Sequence, residues 1–231
     1  MQERLFPQDY PPIPGIEYAG ACRPALEVGG DYYDFLALPD TQLGIAIGDV
    51  SGKGVPAALL MATLRAYLRG QTIGGKSNLA AMMVNLNKLV YESSASNRYA
   101  TFFYGQYDAP TGLFRYVNAG HNPPMLFKES GALVRLDVGG PVVGLIPECS
   151  YQEGAVTLEA HDVLVAFTDG ISEAMNIDMD DWGEDRLVAA TQPSRSLAPR
   201  LLIDHIIQQA DAFVAGAPQH DDMTVVVVRH V

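Results

Sequence analysis

Three apolar runs in this chain each carry an aspartate at one end, and this constrains the fold more than any other feature. Residues 43–48, Leu-Gly-Ile-Ala-Ile-Gly, lead into Asp49, and residues 163–168 lead into Asp169-Gly170. Asp221-Asp222 open the run Met223-Thr224-Val225-Val226-Val227-Val228. A fourth acidic cluster, Gly29-Gly30-Asp31-Tyr32-Tyr33-Asp34, starts another such run. Short runs of this composition read as buried or half-buried strands. A strand end fixed in a core holds its carboxylate with little freedom, while the adjoining turn stays open to solvent. Aspartate is also an ordinary turn residue, so one Asp-Gly pair carries no function by itself. Its recurrence at several strand ends points to a site, provided those ends meet in space.

The rest of the chain supplies the frame. Residues 2–14 are polar and then proline-rich, which predicts an extended linker entering a domain at residue 16. Strands are expected over residues 16–22, 32–38, 43–47, 101–108, 113–118, 125–127, 133–136, 154–158, 163–167 and 224–228. Pro56 opens a helix in which Ala57, Leu60, Met61, Leu64 and Leu68 recur at helical spacing, with Gly70 expected to stop it. A second helix is expected over residues 78–93, with Leu79, Met82, Met83, Leu86 and Val90 on one face, and a third over 199–215. Ala109-Pro110-Thr111-Gly112 has hairpin chemistry. Strands, two helices, strands, helix and strand predict an α+β layered domain and not alternating βαβ units.

Composition narrows the function classes. The 231 residues have room for one sizeable core. Fifteen basic residues against 27 acidic ones give a formal charge of −12, which argues against a nucleic-acid partner. No run approaches the roughly 18–20 apolar residues of a membrane helix, and the first ten residues lack a secretory pattern. Cys22 and Cys149 match no metal or redox spacing and read as free thiols of a reducing cytoplasm. The gathered carboxylates suit Mg²⁺ or Mn²⁺, hard ions that prefer oxygen ligands. Two such ions in one site can activate water and stabilise charge on an attacked phosphoryl group.

Five ordered motifs then resemble a known family. Glu27-Val28-Gly29-Gly30-Asp31-Tyr32-Tyr33-Asp34, Gly48-Asp49-Val50-Ser51-Gly52-Lys53-Gly54, Asn118-Ala119-Gly120-His121-Asn122-Pro123, Thr168-Asp169-Gly170 and His220-Asp221-Asp222-Met223-Thr224 look like the metal-dependent (2C-type) serine/threonine protein phosphatases. They are most similar to the bacterial branch of the sporulation stage II E protein and the general-stress sigma-factor regulators. The resemblance runs from about residue 16 to 231. It implies a β-sandwich of two antiparallel sheets flanked by helix pairs, with a site for two Mn²⁺ or Mg²⁺ at one end. By the same resemblance Asp49 bridges both ions and the Val50 carbonyl binds one. Asp169 and Asp221 hold the other, with Asp222 the alternative to Asp221, and Asp31 acts through water. Asp49, Asp169 and Asp221 would then carry catalysis.

The departures are informative. Ser51 stands where eukaryotic relatives place a histidine, so leaving-group protonation by histidine is not expected. His121 stands where they carry an aspartate, and is either a ligand or a brace for its own loop. Arg23 is either a bidentate donor to the substrate phosphate or a surface arginine. Residues 70–77, Gly-Gln-Thr-Ile-Gly-Gly-Lys-Ser, match the phosphate-loop pattern of NTPases, but that motif needs a strand before it and here the preceding residues have helical spacing. A binding module of the same fold is the other alternative.

The expected partners are a phosphorylated protein, of the anti-sigma-factor antagonist class by resemblance, and an upstream sensor or regulator; a homodimer is compatible. Residues 1–15 are expected to be a linker, the tail of a helix from an N-terminal regulatory domain. Leu60 and Leu64 are candidate regulatory positions, because a shift of their helix would carry Asp49 and Val50 with it.

Overall fold

The structure, a computed structural model, describes residues 2–39, 41–72, 78–93 and 98–231. Along the chain come β1 (Ile16–Arg23), β2 (Tyr32–Leu38), β3 (Gln42–Val50), α1 (Val55–Thr72), α2 (Leu79–Ser93), β4 (Ala100–Asp108) and β5 (Leu113–Ala119). There follow β6 (Met125–Phe127), β7 (Leu133–Arg135), β8 (Gly139–Gly140), β9 (Gly154–Thr157) and β10 (Val163–Phe167). The chain closes with α3 (Asp169–Ser172), α4 (Gly183–Thr191), α5 (Pro199–Val214) and β11 (Met223–His230). One sheet has the order β1-β11-β10-β6-β7; the other has β2-β3-β4-β5-β8, with β9 also paired to β5. Among the described pairings all are antiparallel except the short β5–β8 contact, which is parallel.

The strands alternate between two buried environments, and that alternation stacks the layers. In β3, Leu43, Ile45 and Ile47 enter the core between the sheets, while Ala46 faces the core shared with α1 and α2. In β11, Val226 and Val228 face the inter-sheet core, and Val225 and Val227 face the core under α5. The result is a sandwich of two sheets with helices on both outer faces. Phe103, Phe114 and Tyr116 stack within the middle layer; truncating a ring of that kind to alanine costs about 3–5 kcal/mol.

Two helical expectations need correction. Helix α1 does not stop at Gly70 but runs to Thr72. A glycine stop requires a left-handed backbone, and Gly70 is not in that region. Arg69 also fastens this end of the helix, donating from Nε and Nη2 to the buried Asp34 carboxylate at 2.7 Å each. Helices α3 and α4 have no counterpart in the sequence pattern; α3 is too short to show a period. Helix α2 starts as expected, its first turn capped by Asn78 Oδ1, which accepts the Ala81 N–H at 2.8 Å. Of the phosphate-loop look-alike, Gly70 to Thr72 end α1, so no strand precedes it; residues 73–77, including Lys76, lie outside the described residues.

The N-terminal stretch begins with a helical turn and lies against the domain. Gln2–Leu5 form a 3₁₀ turn, Phe6 stacks on Tyr33, and Leu5 packs against the α1–α2 core. Cys22 and Cys149 are both free and partly buried. Among the described residues no helix is long and apolar enough to cross a membrane.

Candidate active site and metal centre

Antiparallel register brings the aspartates together. Tyr32 pairs with Gly48, so the start of β2, preceded by Asp31, lies beside the end of β3, which carries Asp49 and Val50. In the other sheet Phe167 pairs with Val225, so Asp169 beyond β10 lies beside Asp221 and Asp222 ahead of β11. All five aspartates and Val50 fall at one end of the sandwich, two strand ends from each sheet.

That proximity makes the carboxylates repel one another. Burial pushes the Asp49 carboxyl up to about 7, and Asp169, Asp221 and Asp222 push the same way, against a hydrogen bond with Asp31. Burial also raises Asp169, with Asp221 the next cause. Asp31 is fully buried and held well above the usual carboxylate range, first by burial and then by Asp49. Two hydroxyls offset part of that, since Thr168 Oγ1 and Thr224 Oγ1 donate to Asp31 Oδ2 at 2.8 and 2.5 Å.

The two adjacent aspartates have different surroundings. Asp222 is buried, and its carboxylate accepts backbone N–H groups: Ala25 at 2.8 Å on Oδ1, Gly30 at 2.8 Å and Asp31 at 3.4 Å on Oδ2. It braces the loop that carries Asp31. Asp221 is half exposed, and its Oδ2 lies 2.9 Å from Lys53 Nζ. The chain packs too tightly here for side chains at two points. A Cβ on Gly170 would stand 2.0 Å from the Asp222 carbonyl oxygen, and one on Gly30 would stand 2.8 Å from the Val50 carbonyl and 3.5 Å from Asp49 Oδ1.

The donors suit a hard cation, since several carboxylates and the Val50 carbonyl face one small space and the acids repel one another in its absence. Among the described residues no group of three or more His, Cys, Asp or Glu side chains is gathered closely enough to hold a metal ion by itself. Mg²⁺ in particular keeps several waters and takes only a few protein ligands.

Other expected residues lie around this centre. Arg23 ends β1, and its Nη1 and Nη2 donate to Asp211 at 2.8 and 2.7 Å. It lines a cavity of about 150 Å³ together with Gly170, Glu173 and Asp221, so it is near the site but already paired. His121 is buried, with Nδ1 hydrogen-bonded to Thr101 Oγ1 at 2.9 Å. Burial lowers its pKa to about 4; the Phe167 carbonyl pulls the other way without giving Nε2 a well-formed hydrogen bond. Ser51 accepts the Tyr99 N–H on Oγ at 3.0 Å. Leu60 and Leu64 are buried between α1, α2 and the sheet, away from the carboxylates. Sequence reasoning missed Thr168, Thr224 and Lys53. All three stand inside the quoted motifs, but only their partners reveal what they do.

The fold and these strand ends define a 2C-type phosphatase domain. Residues 39–231 match the family described as Stage II sporulation protein E (SpoIIE), and the chain belongs to that family. It is 29% identical over 254 residues to Protein IcfG of Synechocystis, covering 99% of this chain and 40% of the relative. It is 26% identical over 237 residues to the phosphoserine phosphatase RsbU of Bacillus subtilis, covering 99% of this chain and 68% of that protein. The chain therefore spans well under half the length of the first relative and about two thirds of the second. Among solved structures, the SiaA-PP2C domain of Pseudomonas aeruginosa superposes with a TM-score of 0.82 at 18% identity, covering 93% of this chain and 86% of that one. RsbX in complex with magnesium superposes at 0.67 with 17% identity, covering 94% and 96%.

Proposed function

We propose that this domain is a metal-dependent protein serine/threonine phosphatase. The observation that carries the reading is the meeting of Asp49, from one sheet, with Asp169 and Asp221, from the other, at a shared end where Asp169 and Asp221 raise the proton affinity of Asp49 and Asp221 raises that of Asp169. A site of this kind is held ready for cationic charge. The sequence relative RsbU is named a phosphoserine phosphatase, and RsbX, whose fold superposes on this one, is a magnesium complex.

In this reading Asp49, the Val50 carbonyl, Asp169 and Asp221 would hold two Mn²⁺ or Mg²⁺ ions, and Asp31 would act through water. When bound, such ions supply a nucleophile from water at neutral pH and stabilise phosphoryl charge. The chain's own part is positional. Thr168, Thr224 and the Asp222-braced loop fix Asp31, and the β3 backbone fixes Asp49 beside it. A bond forms from the water oxygen to phosphorus, the bond from phosphorus to the seryl or threonyl oxygen breaks, and the leaving oxygen takes a proton. No histidine follows Asp49-Val50 to deliver that proton. The substrate class is a phosphoserine or phosphothreonine on a protein, with an anti-sigma-factor antagonist the candidate implied by the family branch. A phosphoprotein-binding module without turnover is the competing outcome.

Hydrolysis of an aryl phosphate and of a phosphoserine peptide, with and without Mn²⁺ or Mg²⁺, tests the reading. Activity should require the ion, and Asp49→Asn should abolish it while circular dichroism shows an intact fold. A folded Asp49→Asn protein retaining more than about a tenth of parental activity would sink the assignment.

A further inference from the structure

Among the described residues, Lys53 brings a side-chain cation to the carboxylates. Lys53 lies in the turn between β3 and α1, three residues after Val50 and two before the helix begins. Its Nζ stands 2.9 Å from Asp221 Oδ2 and also donates to the His220 carbonyl, so it crosses from one sheet's strand end to the other's. The base of this turn is fixed: Arg98 Nη1 donates to the Ser51 carbonyl at 2.5 Å, and Ser51 N–H donates to the Tyr99 carbonyl at 2.9 Å. Gly52 and Gly54 both have left-handed backbones, at φ +93° and +73°; Gly52 lies against the Arg98 guanidinium, the Gly54 carbonyl accepts the Ala58 N–H at 3.0 Å, and nothing lies within 4 Å of where a Gly54 side chain would start.

We propose that Lys53 is the side chain that meets the substrate's phosphoryl oxygens, and that its pairing with Asp221 is its resting place. This rests on the phosphatase reading and adds to it the residue that recognises the phosphate. The side chains of Lys53 and Asp221 are 49% and 45% exposed, and ion pairs so open to water hold weakly. With Asp49, Asp169 and Asp221 holding cations, the charge that attracts Lys53 would be neutralised. A phosphoryl dianion entering the site restores an anionic partner within the same reach. A lysine ammonium suits that exchange as a compact charge with three donors on a flexible stem.

Arg23 is the rival cation, and its geometry argues against it. Both of its η nitrogens are bonded to Asp211, and Nη2 also lies against Met223 Sδ. Turning it toward a phosphate would break a bidentate pair, whereas turning Lys53 breaks one exposed ion pair and its hydrogen bond to the His220 carbonyl.

The test uses the whole chain in Mn²⁺ and has two readouts: calorimetric binding of inorganic phosphate, and KM and kcat on a phosphoserine peptide. Lys53→Met and Lys53→Gln should weaken phosphate binding and raise KM by about tenfold, with a smaller change in kcat, while Lys53→Arg recovers most of the affinity. Calorimetric Mn²⁺ binding should be retained or tightened in both neutral variants, because Asp221 no longer shares its charge with an ammonium. Unchanged phosphate affinity and KM in either neutral variant with intact Mn²⁺ binding would overturn the proposal. So would an equal loss in Arg23→Met with none at Lys53. A parent protein that does not hydrolyse the peptide in Mn²⁺ would overturn the phosphatase reading, and this proposal with it; an active parent with unaffected Lys53 variants overturns this proposal alone.

Discussion

His121 Nδ1 and Thr101 Oγ1 stand 2.9 Å apart, and Thr101 is the residue paired with Asp49 across β3 and β4. The buried imidazole therefore supports the strand position directly behind the proposed bridging ligand. On its other side it neighbours the Phe167 carbonyl, two residues before Asp169. Replacing Thr101 by valine keeps the shape and removes the hydroxyl, leaving a buried ring nitrogen unpaired at a cost of about 1–3 kcal/mol. We expect a lower thermal midpoint and a severalfold higher Mn²⁺ concentration at half-maximal rate. A lowered midpoint with an unmoved Mn²⁺ titration would confine His121 to stability.

Asp221 and Asp222 should separate cleanly by experiment. Asp222→Asn weakens an acceptor for three backbone N–H groups and is expected to cost about 1–3 kcal/mol of stability. Asp221→Asn touches a half-exposed carboxylate and should leave the thermal midpoint within about 2 °C, while weakening Mn²⁺ binding by calorimetry. The reverse pattern would assign the ligand to Asp222.

The pH dependence of stability follows from the same carboxylates. The folded-state pKa of Asp49, about 7, lies above its unfolded value. The folded protein thus binds the extra proton between pH 4 and 7, and stability without cations falls as pH rises through that window. His121 acts oppositely. Its folded pKa, near 4, is depressed, so it favours the fold more as pH rises from about 4 to 6.5. The two contributions separate when cations are added, because binding removes the Asp49 penalty and leaves His121 untouched. The gain in thermal midpoint on adding Mn²⁺ should therefore be small at pH 5 and larger by about 5 °C or more at pH 8. A gain independent of pH would exclude Asp49 as a ligand.

Leu60 and Leu64 offer a test of regulation through α1. Both pack in the core shared with Met82, Met83 and Leu86 of α2 and with Leu5 of the N-terminal turn. That turn also reaches the site loop, since Gln2 Nε2 donates to the Gly29 carbonyl at 2.7 Å and Gly29 N–H donates to Gln2 Oε1 at 2.9 Å. A regulator acting on the N-terminal turn would meet both α1 and the loop holding Asp31. Leu60→Met and Leu64→Met, which conserve volume, should shift the Mn²⁺ requirement severalfold in either direction while the protein stays folded. Parental titrations in every folded variant would reduce these leucines to packing.

What the sequence determined by itself was local. The apolar runs over residues 43–47 and 224–228 marked buried strands, and helical spacing at Leu60, Leu64 and Leu68 specified the face of α1. Aspartates at strand ends were legible because residue type and position along the chain were enough to find them. Tertiary structure decided what each polar group does, because its partner is distant in sequence. Thr224 and Asp31 are 193 residues apart, and Thr168 and Asp31 are 137 apart. Nothing in Asp221-Asp222 as a dipeptide shows that one carboxylate faces solvent and the other takes three N–H groups from the loop after β1. Arg23 looked available until α5 placed Asp211 against it, and Lys53 looked incidental until β11's entry placed Asp221 within its reach. Gly70 looked like a helix stop, yet α1 passes through it, because the buried Asp34 holds Arg69 and the sheet beneath overrides the local preference.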